Sequence, residues 1–310
     1  MNDIIILASL YDLQRLEEIA DFLKLHNTIH INLSINKDNI NKPELTSFLN
    51  KFEDRITNIS FHANYGVDIA PFLYQVTSID SDRFPFFIKI HSKQSKWGVR
   101  KNLDWGEVLI DSLIGNRTTL WKNYEMIKDD RVGMIAHKFL TLKNRECNNS
   151  NKIQELCNII NIDYENVKNG EFAAGSMFIS KTKIFQKYFL YTHKEINSLL
   201  FTEQGKVEDN IESTYSHSLE RIFGYIIKNE NLNIIHNVAE NIQLYNKQHR
   251  LLHLHITHKD NCYILQDLNV HGKIIERNKD SIYIQWKHVE TEPTVKYSFI
   301  GRNKIKNTSA

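Results

Sequence analysis

The sequence predicts an α/β fold with a mostly parallel sheet, followed by a small C-terminal β appendage. Residues 3–10, DIIILASL, are short, apolar and β-branched, as expected of a buried strand. Residues 13–26 place leucine, isoleucine and alanine at helical spacing, and residues 29–35, IHINLSI, return to a strand pattern. A strand–helix–strand order is typical of parallel strands joined by crossover helices.

The alternation of predicted strands and helices continues to about residue 228. Residues 207–228 form a long amphipathic pattern whose first turn, VEDNIE, is acidic, as suits the positive end of a helix dipole. The other predicted elements are strands at 56–62 (ITNISFH), 84–90 (FPFFIKI), 131–137 (RVGMIAH) and 173–180 (AAGSMFIS), and helices at about 103–115 and from there to about 128.

The texture of the sequence changes after about residue 245. CYILQDL, GKIIERN, SIYIQWKHV and VKYSFIG are short alternating segments separated by turn residues, which indicates β-strands. We therefore divide the chain into an α/β domain at 1–245 and a β-rich appendage at 246–310.

Composition bounds the class of protein. The chain has 310 residues, 41% apolar and 25% charged, with a net charge of +2, which is ordinary globular composition without an overall field for nucleic acid or membranes. Cys147, Cys157 and Cys262 show no metal-ligand or CxxC spacing and suit a reducing compartment. No run reaches about 18 apolar residues, and no basic leader precedes the first strand. We expect a cytoplasmic protein.

The first segment that could carry chemistry is HANYGVDIAPFL, residues 62–73. Asn64 and Gly66 permit a tight turn after a strand. Asp68 has two interpretations: it caps the helix that follows, or this strand end contacts a nucleotide or sugar, as crevices at strand ends do in α/β sheets.

The second segment is IKIHSKQSKWGVR, residues 88–100, in which a buried strand ends in a cationic cluster. Lysine, arginine and serine together can hold a diphosphate through charge-assisted hydrogen bonds. The alternative is a solvated basic loop. The residues that would hold such a group here are His91, Ser92, Lys93, Ser95 and Arg100.

Two further segments lie later in the chain. In EFAAGSMFISK, residues 171–181, Gly175 and Ser176 would let a ligand approach the backbone, although glycine in a strand also marks a simple bulge. In VEDNIESTYSHSLERIFG, a helix would place Asp209, Glu212, Ser216 and Glu220 along one face and His217 and Arg221 beside it. One carboxylate is then a candidate general base, and the alternative is a solvated helix face.

These four segments together resemble the rhamnan synthesis protein F family of bacterial polysaccharide glycosyltransferases. The family has four motifs, N-x-G-x-D-I-x-P-F-L, K-I-H-T/S-K-x-S, A-G-(T/S)-M-F and D-G-T-x-x-H-x-x-E-R-x-F-G. The corresponding segments of this chain are, in the same order, NYGVDIAPFL, KIHSKQS, AAGSMF and ESTYSHSLERIFG. Glu212 and Ser213 replace the usual Asp-Gly, and ASLYD at the first strand's end lacks the expected histidines.

The resemblance implies a GT-A-like (Rossmann-like) nucleotide-sugar transferase domain. In that fold a strand usually ends in Asp-x-Asp, which holds a divalent cation against the donor diphosphate. FIKIHSK stands in its place, so lysine and arginine would neutralise the diphosphate directly. Asp80-Ser81-Asp82 precedes this strand and is read as a surface turn rather than a metal site. No cofactor is expected besides the nucleotide-sugar donor, and a need for divalent metal stays open.

The implied reaction is transfer of a hexosyl group, with a rhamnose-like sugar favoured, from a nucleoside diphosphate sugar to a growing surface polysaccharide such as O-antigen, capsule or rhamnan. An inverting path would use Glu212 or Asp209 as base. Asn64 and Asp68 would hold the nucleoside or sugar hydroxyls. Gly175 and Ser176 would line the acceptor side or support the residues that contact the substrates. His217, Glu220 and Arg221 would orient the base, with Glu220 and Arg221 as a buried ion pair.

Other classes of function and partner stay open or are excluded. The alternative is a non-catalytic glycan- or partner-binding module on a degenerate transferase fold. A Rossmann oxidoreductase is excluded because no GxGxxG follows the first strand. The expected partners are a nucleotide sugar and a glycan acceptor, with a lipid-linked glycan and peripheral contact with the inner membrane left open, and no nucleic acid.

Overall fold

The structure is a computed structural model in which two compact units are distinguished. It describes residues 2–92, 105–137, 141–143, 149–203 and 213–237, and six strand segments between 242 and 307. The first unit contains residues 1–93 and 109–237, and the second contains residues 94–108 and 238–310. The division predicted at residue 245 stays a prediction.

A seven-stranded sheet organises the first unit, in the order β3-β2-β1-β4-β8-β5-β9. Neighbouring strands are parallel except β8, which runs antiparallel to both β4 and β5. The strands of this sheet are β1 Ile4–Leu10, β2 His30–Asn36, β3 Ile56–His62, β4 Phe86–His91, β5 Val132–His137, β8 Phe178–Lys181 and β9 Asn233–Asn237. A separate pair is formed by β6 Thr141–Lys143 and β7 Glu171–Ala173. The mixed α/β architecture with a mostly parallel sheet is confirmed.

Helices connect these strands. Those in the described ranges are α1 Leu16–Leu25, α2 Pro43–Lys51, α3 Ile69–Ser78, α4 Trp105–Ile114, α5 Arg117–Ile127, α6 Ser150–Ile159, α7 Tyr164–Val167, α8 Thr182–Phe189, α9 His193–Leu200 and α10 Tyr215–Asn229. None of the described helices is long and apolar enough to cross a membrane.

The core lies between the sheet and the layer of α3, α8 and α10. Every residue of β1 is buried. Five phenylalanines from three of these helices and two strands pack with ring centroids 5.2–6.1 Å apart, namely Phe72, Phe87, Phe178, Phe185 and Phe223. Such aromatic packing fixes how the helices sit on the sheet.

A buried glutamine fixes the position of α3 along the sheet. Gln75 is 2% exposed, and its amide donates to the carbonyl oxygens of Ala8 and Asn32 and accepts from the Ser9 hydroxyl. Because a buried amide without partners is costly, α3 cannot slide along β1 and β2. The N-terminus of α3, which follows the predicted N-Y-G-x-D turn, is thereby placed beside the carboxyl ends of these strands.

Two predicted elements differ from the structure. The strand predicted at 173–180 is divided into β7 and β8, because Gly175 and Ser176 have φ of +86° and +49°, which no strand allows. The long helix predicted from Val207 begins only at Tyr215, because Thr214 has an extended backbone (φ −128°, ψ 149°) and its side chain accepts from the backbone N–H of His217.

The second unit contains a six-stranded sheet in the order β10-β11-β15-β14-β13-β12. Its strands are β10 Ile242–Tyr245, β11 Leu251–His255, β12 Lys273–Arg277, β13 Ser281–Gln285, β14 Thr294–Phe299 and β15 Lys304–Asn307. Strands are present in three of the four segments predicted there, and the fourth, CYILQDL, lies outside the described residues.

Candidate active site at the carboxyl edge of the sheet

Several polar residues meet where the parallel strands end. β1 leads to Tyr11, β3 leads through His62 to the Asn64–Asp68 turn, and β4 ends at His91. β8 is antiparallel, so the residues that precede it, including Ser176, lie at this same edge. In open α/β sheets, ligands bind in the crevice at this edge.

The N-Y-G-x-D turn has an unusual backbone. Gly66 and Val67 both have positive φ, +59° and +50°, and this is rare for a β-branched residue such as valine. A Cβ at Gly66 would lie 2.8 Å from the Ala70 Cβ, and the Gly66 N–H donates to the Glu203 carbonyl oxygen at 3.2 Å. Glycine is required at this position both by its φ and by the close approach of α3.

Asp68 stands at the N-cap position of α3, but its carboxylate does not cap the helix. Instead Oδ2 accepts from the Lys89 ammonium and from the Ser176 hydroxyl, and the His91 Nε2 lies 3.7 Å away. The interpretation of Asp68 as a simple helix cap is therefore wrong. Its side chain is 13% exposed, and its contacts in the described part of the chain run to Oδ2, which leaves Oδ1 as an acceptor.

Lys89 is the buried cation of this cluster. Its side chain is 0% exposed, its ammonium donates to the Ser176 hydroxyl at 3.0 Å, and the Phe72 ring centroid lies 5.1 Å away. Burial by itself would raise the pKa of Asp68, but the charges of His91 and Lys89 and the hydrogen bonds from Lys89 and Ser176 together lower it well below its usual range. The carboxylate is therefore ionised at neutral pH.

The turn before β8 is held from two sides. The backbone N–H of Gly175 donates to the Glu220 carboxylate of α10, and the Gly175 carbonyl oxygen accepts from His91 Nε2 at 2.8 Å. These bonds hold Ser176 between Asp68 and Lys89. The predicted ion pair between Glu220 and Arg221 is therefore wrong, because Glu220 accepts from the turn instead. The Arg221 guanidinium donates to the His217 carbonyl oxygen and lies 5.0 Å from the Phe172 ring centroid.

Tyr11 connects Asn64 and Ser92, two residues that are predicted to bind the donor. The Ser92 hydroxyl accepts from the Tyr11 backbone N–H at 2.8 Å, the Asn39 amide donates to the Tyr11 carbonyl oxygen at 2.9 Å, and the Asn64 amide donates to the Tyr11 hydroxyl at 3.3 Å. The residue is nevertheless 52% exposed. Its backbone is thus held by Ser92 and Asn39, its hydroxyl contacts Asn64, and its ring is open to solvent.

The N-terminus of α10 contacts Glu203, while the predicted acidic turn at 207–212 lies outside the described residues. The Glu203 carboxylate accepts from the backbone N–H groups of Tyr215 and Ser216, and the Lys152 ammonium lies 3.7 Å from it. His217 Nδ1 lies 2.6 Å from the Thr214 hydroxyl. A carboxylate at the positive end of a helix dipole is stabilised there.

The structure brings some of the predicted site residues together, places others nearby, and does not describe the rest. One connected cluster contains Asp68, His91, Gly175, Ser176 and Glu220, and a neighbouring group links Asn64 and Ser92 through Tyr11. Gly66 shapes the turn between them, while His217 and Arg221 lie along α10. The predicted residues outside the described part are Lys93, Ser95, Arg100, Asp209 and Glu212.

Sequence reasoning missed Lys89, Tyr11 and Glu203. For Lys89 a signal was present: a lysine inside the apolar strand FFIKI must be paired if the strand is buried. Tyr11 and Glu203 lie outside the four motif segments, and only their long-range contacts show that they belong to the site.

The Asp80-Ser81-Asp82 turn has partners of its own in the structure. Asp80 Oδ1 accepts from the backbone N–H groups of Asp82 and Arg83, and Asp82 pairs with Lys183 at 2.7 Å. This turn precedes β4 and so lies at the amino edge of the sheet, opposite the cluster. Within the described ranges, no three or more His, Cys, Asp or Glu side chains are grouped to hold a metal ion.

Comparisons with known proteins agree with the motifs. The family model described as rhamnan synthesis protein F matches residues 1–232 of the 310, which contain the carboxyl-edge cluster and all four motif segments. A comparison with curated proteins found no match. Since the match covers most of the chain, the chain belongs to the rhamnan synthesis protein F family, and thus to the proteins of rhamnan polysaccharide synthesis.

Proposed function

We propose that this chain is a glycosyltransferase with a GT-A-like domain. It transfers a hexosyl group, with rhamnose favoured, from a nucleoside diphosphate sugar to a hydroxyl group of a growing bacterial surface polysaccharide. The observation that carries the proposal is the cluster of Asp68, Lys89, His91 and Ser176 at the carboxyl edge of the sheet, in a chain of a rhamnan synthesis family.

The donor's nucleoside and sugar bind at the ends of β1 and β3. Asp68 is ionised, and Oδ1 accepts a hydrogen bond from a sugar hydroxyl while Oδ2 is held by Lys89 and Ser176. Such a charge-assisted bond is stronger than a neutral one. Asn64 and the half-exposed ring of Tyr11 form the nucleoside side, where the ring offers a face for stacking.

The diphosphate binds beyond the end of β4. Lys89 is the internal counter-ion of Asp68, so it orients that carboxylate and is not the group that contacts phosphate. The positive charge for the departing diphosphate comes from Lys93 and Arg100, with Ser92 and Ser95 as neutral donors and His91 beside them. These cations take the role that a divalent metal has in related folds.

The reaction is a single displacement with inversion. A carboxylate, Glu212 or Asp209, takes the proton from the acceptor hydroxyl, and the acceptor oxygen forms a bond to the anomeric carbon. The bond between that carbon and the diphosphate oxygen breaks at the same time, and the electron pair leaves with the nucleoside diphosphate. No covalent enzyme intermediate is needed.

The experiment begins with a screen of nucleotides and nucleotide sugars for thermal stabilisation of the whole chain, because a ligand that binds the native state raises its melting temperature. Donors that stabilise the protein are then tested for transfer to rhamnan oligosaccharides and for hydrolysis. Release of nucleoside diphosphate is expected, and undiminished release in excess EDTA is expected for the metal-free path. Activity lost in EDTA and restored by manganese would contradict that path.

The variant Glu212→Gln tests the base. Its turnover should fall on the order of 100-fold or more, because a general base typically contributes about 10²–10⁴-fold, while the donor still raises the melting temperature. Asp209→Asn is the matched comparison: if it alone is inactive, Asp209 is the base. Wild-type protein that binds donor or glycan without turnover would instead favour a non-catalytic binding module.

A further inference from the structure

We infer that Glu220 is a positioning residue, which orients His91 and the Asp68–Ser176 pair by holding the backbone of the turn before β8. The inference rests on the proposed function, because His91 and Asp68 are among the residues assigned to the donor. Glu220 itself contacts none of them. It acts through Gly175, whose N–H it accepts and whose carbonyl oxygen accepts from His91.

The turn needs an external hold. Ser176 has a φ of +49°, a conformation that L-residues rarely adopt and that persists only where the surroundings enforce it. Three contacts enforce it: the Ser176 N–H donates to the Ala173 carbonyl oxygen, the Ser176 hydroxyl lies between Asp68 and Lys89, and the Glu220 carboxylate accepts from the N–H of the preceding residue, Gly175. Of the three, only the Glu220 contact comes from α10.

The position of α10 is itself fixed by close packing. Gly224 lies one helical turn after Glu220, and a Cβ there would come within 1.9 Å of the Glu171 carbonyl oxygen in β7. Helix and strand therefore touch backbone to backbone. Because residues four apart share one helix face, Gly224 brings the helix down onto β7, and Glu220 then reaches the turn that follows this strand.

The chemistry of the bond decides which substitutions matter. Gly175 offers a backbone N–H, so position 220 needs an acceptor oxygen at the end of a glutamate-length side chain. Glutamine keeps that oxygen, aspartate is shorter by one methylene group, and alanine removes the acceptor. When the bond is lost, the Gly175 carbonyl oxygen can turn away from His91 Nε2, and the imidazole loses one of the contacts that fix its tautomer.

The test compares Glu220→Gln, Glu220→Asp and Glu220→Ala in the full-length protein. We expect kcat/KM for the donor to fall on the order of 100-fold in Glu220→Ala, because small misplacements of binding groups cost about that much. The KM for the acceptor should stay near that of wild type. Glu220→Asp should resemble the alanine variant, and Glu220→Gln should keep most of the donor affinity. Glu165→Ala, which removes an exposed carboxylate paired with Lys168, is the control.

A second measurement does not depend on activity. Nitrogen chemical shifts of the His91 ring, assigned with His91→Asn, report which ring nitrogen carries the proton. At a pH high enough for the ring to be neutral, they should indicate an Nε2–H imidazole in wild type and Glu220→Gln, and a mixture in Glu220→Ala or, if that variant fails to fold, in Glu220→Asp. A merely structural role of Glu220 would lower the melting temperature without changing the tautomer.

The outcomes separate the inference from the proposed function. Wild-type donor kinetics and an unchanged tautomer in Glu220→Ala would overturn the inference, and so would a Glu220→Gln variant as impaired as the alanine variant. Wild-type protein that neither binds nor turns over any nucleotide sugar would overturn the proposed function. The tautomer measurement would then still decide whether Glu220 orients His91.

Discussion

Strand β4 has an aspartate–lysine ion pair near each of its ends, and the two pairs differ in their surroundings. At the carboxyl edge, Lys89 is 0% exposed and Asp68 13%. At the amino edge, Lys183 is 70% exposed and Asp82 84%. The Asp82–Lys183 pair, which contains an aspartate of the Asp-x-Asp sequence, is therefore solvated. The Asp68–Lys89 pair at the carboxyl edge is enclosed by Phe72, Ser176 and His91.

The comparison indicates that burial, rather than a match to a sequence motif, decides how an ion pair contributes to stability and to the site. An exposed pair is screened by water and contributes little. A buried pair has lost its hydration, so each partner depends on the other, and removing one leaves an uncompensated charge. Asp68 is thus kept ionised and fixed in direction, as a group that accepts a hydrogen bond from a substrate must be.

The largest expected effect comes from removing the buried cation. Lys89→Met should lower the free energy of unfolding by about 3–5 kcal/mol, because it leaves the Asp68 carboxylate buried without its counter-ion. Urea denaturation measures this. In the double variant Lys89→Met/Asp68→Asn, part of the loss should be recovered. If Lys89→Met cost no more than Lys183→Met, the contrast between the two pairs would be refuted.

The support of the buried pair by α10 gives the next largest effect. Gly224→Ala should lower the free energy of unfolding by about 1–3 kcal/mol, because the new Cβ meets the Glu171 carbonyl oxygen and overpacks the contact with β7. It should also weaken donor binding, since it moves Glu220. Lys228→Ala, at an exposed position of the same helix, is the control and should change neither property.

A pH series gives a smaller effect. The folded-state pKa of Asp68 lies below its ordinary value. Its contribution to stability is therefore complete above the unfolded pKa of about 3.9 and is lost as the pH falls towards the folded pKa. The free energy of unfolding of the wild type should fall more steeply below about pH 4 than that of Asp68→Asn. Equal slopes would mean that folding does not lower the pKa of Asp68.

The smallest effect is expected at the amino edge. Asp82→Asn and Lys183→Met should leave the melting temperature and the donor kinetics at wild-type values, because this pair is solvated and lies at the opposite edge from the cluster. Differential scanning fluorimetry with a manganese titration is the measurement. A manganese-dependent stabilisation that Asp82→Asn abolishes would make Asp80 and Asp82 a metal site after all.

Much of the fold could be predicted from the sequence because its elements are locally determined. The strands β1, β2 and β4 follow from runs of β-branched and apolar residues, and α1 from helical spacing. The beginning of α10 could not be predicted in this way. The apolar spacing continues smoothly before Tyr215, and the actual start depends on Thr214 as cap and on Glu203, which lies 12 positions before Tyr215 in the sequence.

The features of the candidate site also fall into those that local sequence patterns predict and those that depend on tertiary contacts. The sequence by itself determined the motif segments, the family and the strand ends where polar residues gather, because strand periodicity and short turns are local properties. Only the tertiary structure decided that Asp68 pairs with Lys89 instead of capping α3, that Glu220 holds Gly175, and that Tyr11 joins Asn64 to Ser92. These contacts join residues 21 to 81 positions apart, and such partners are chosen by packing and by the cost of leaving a buried charge or N–H unpaired, which no local pattern records.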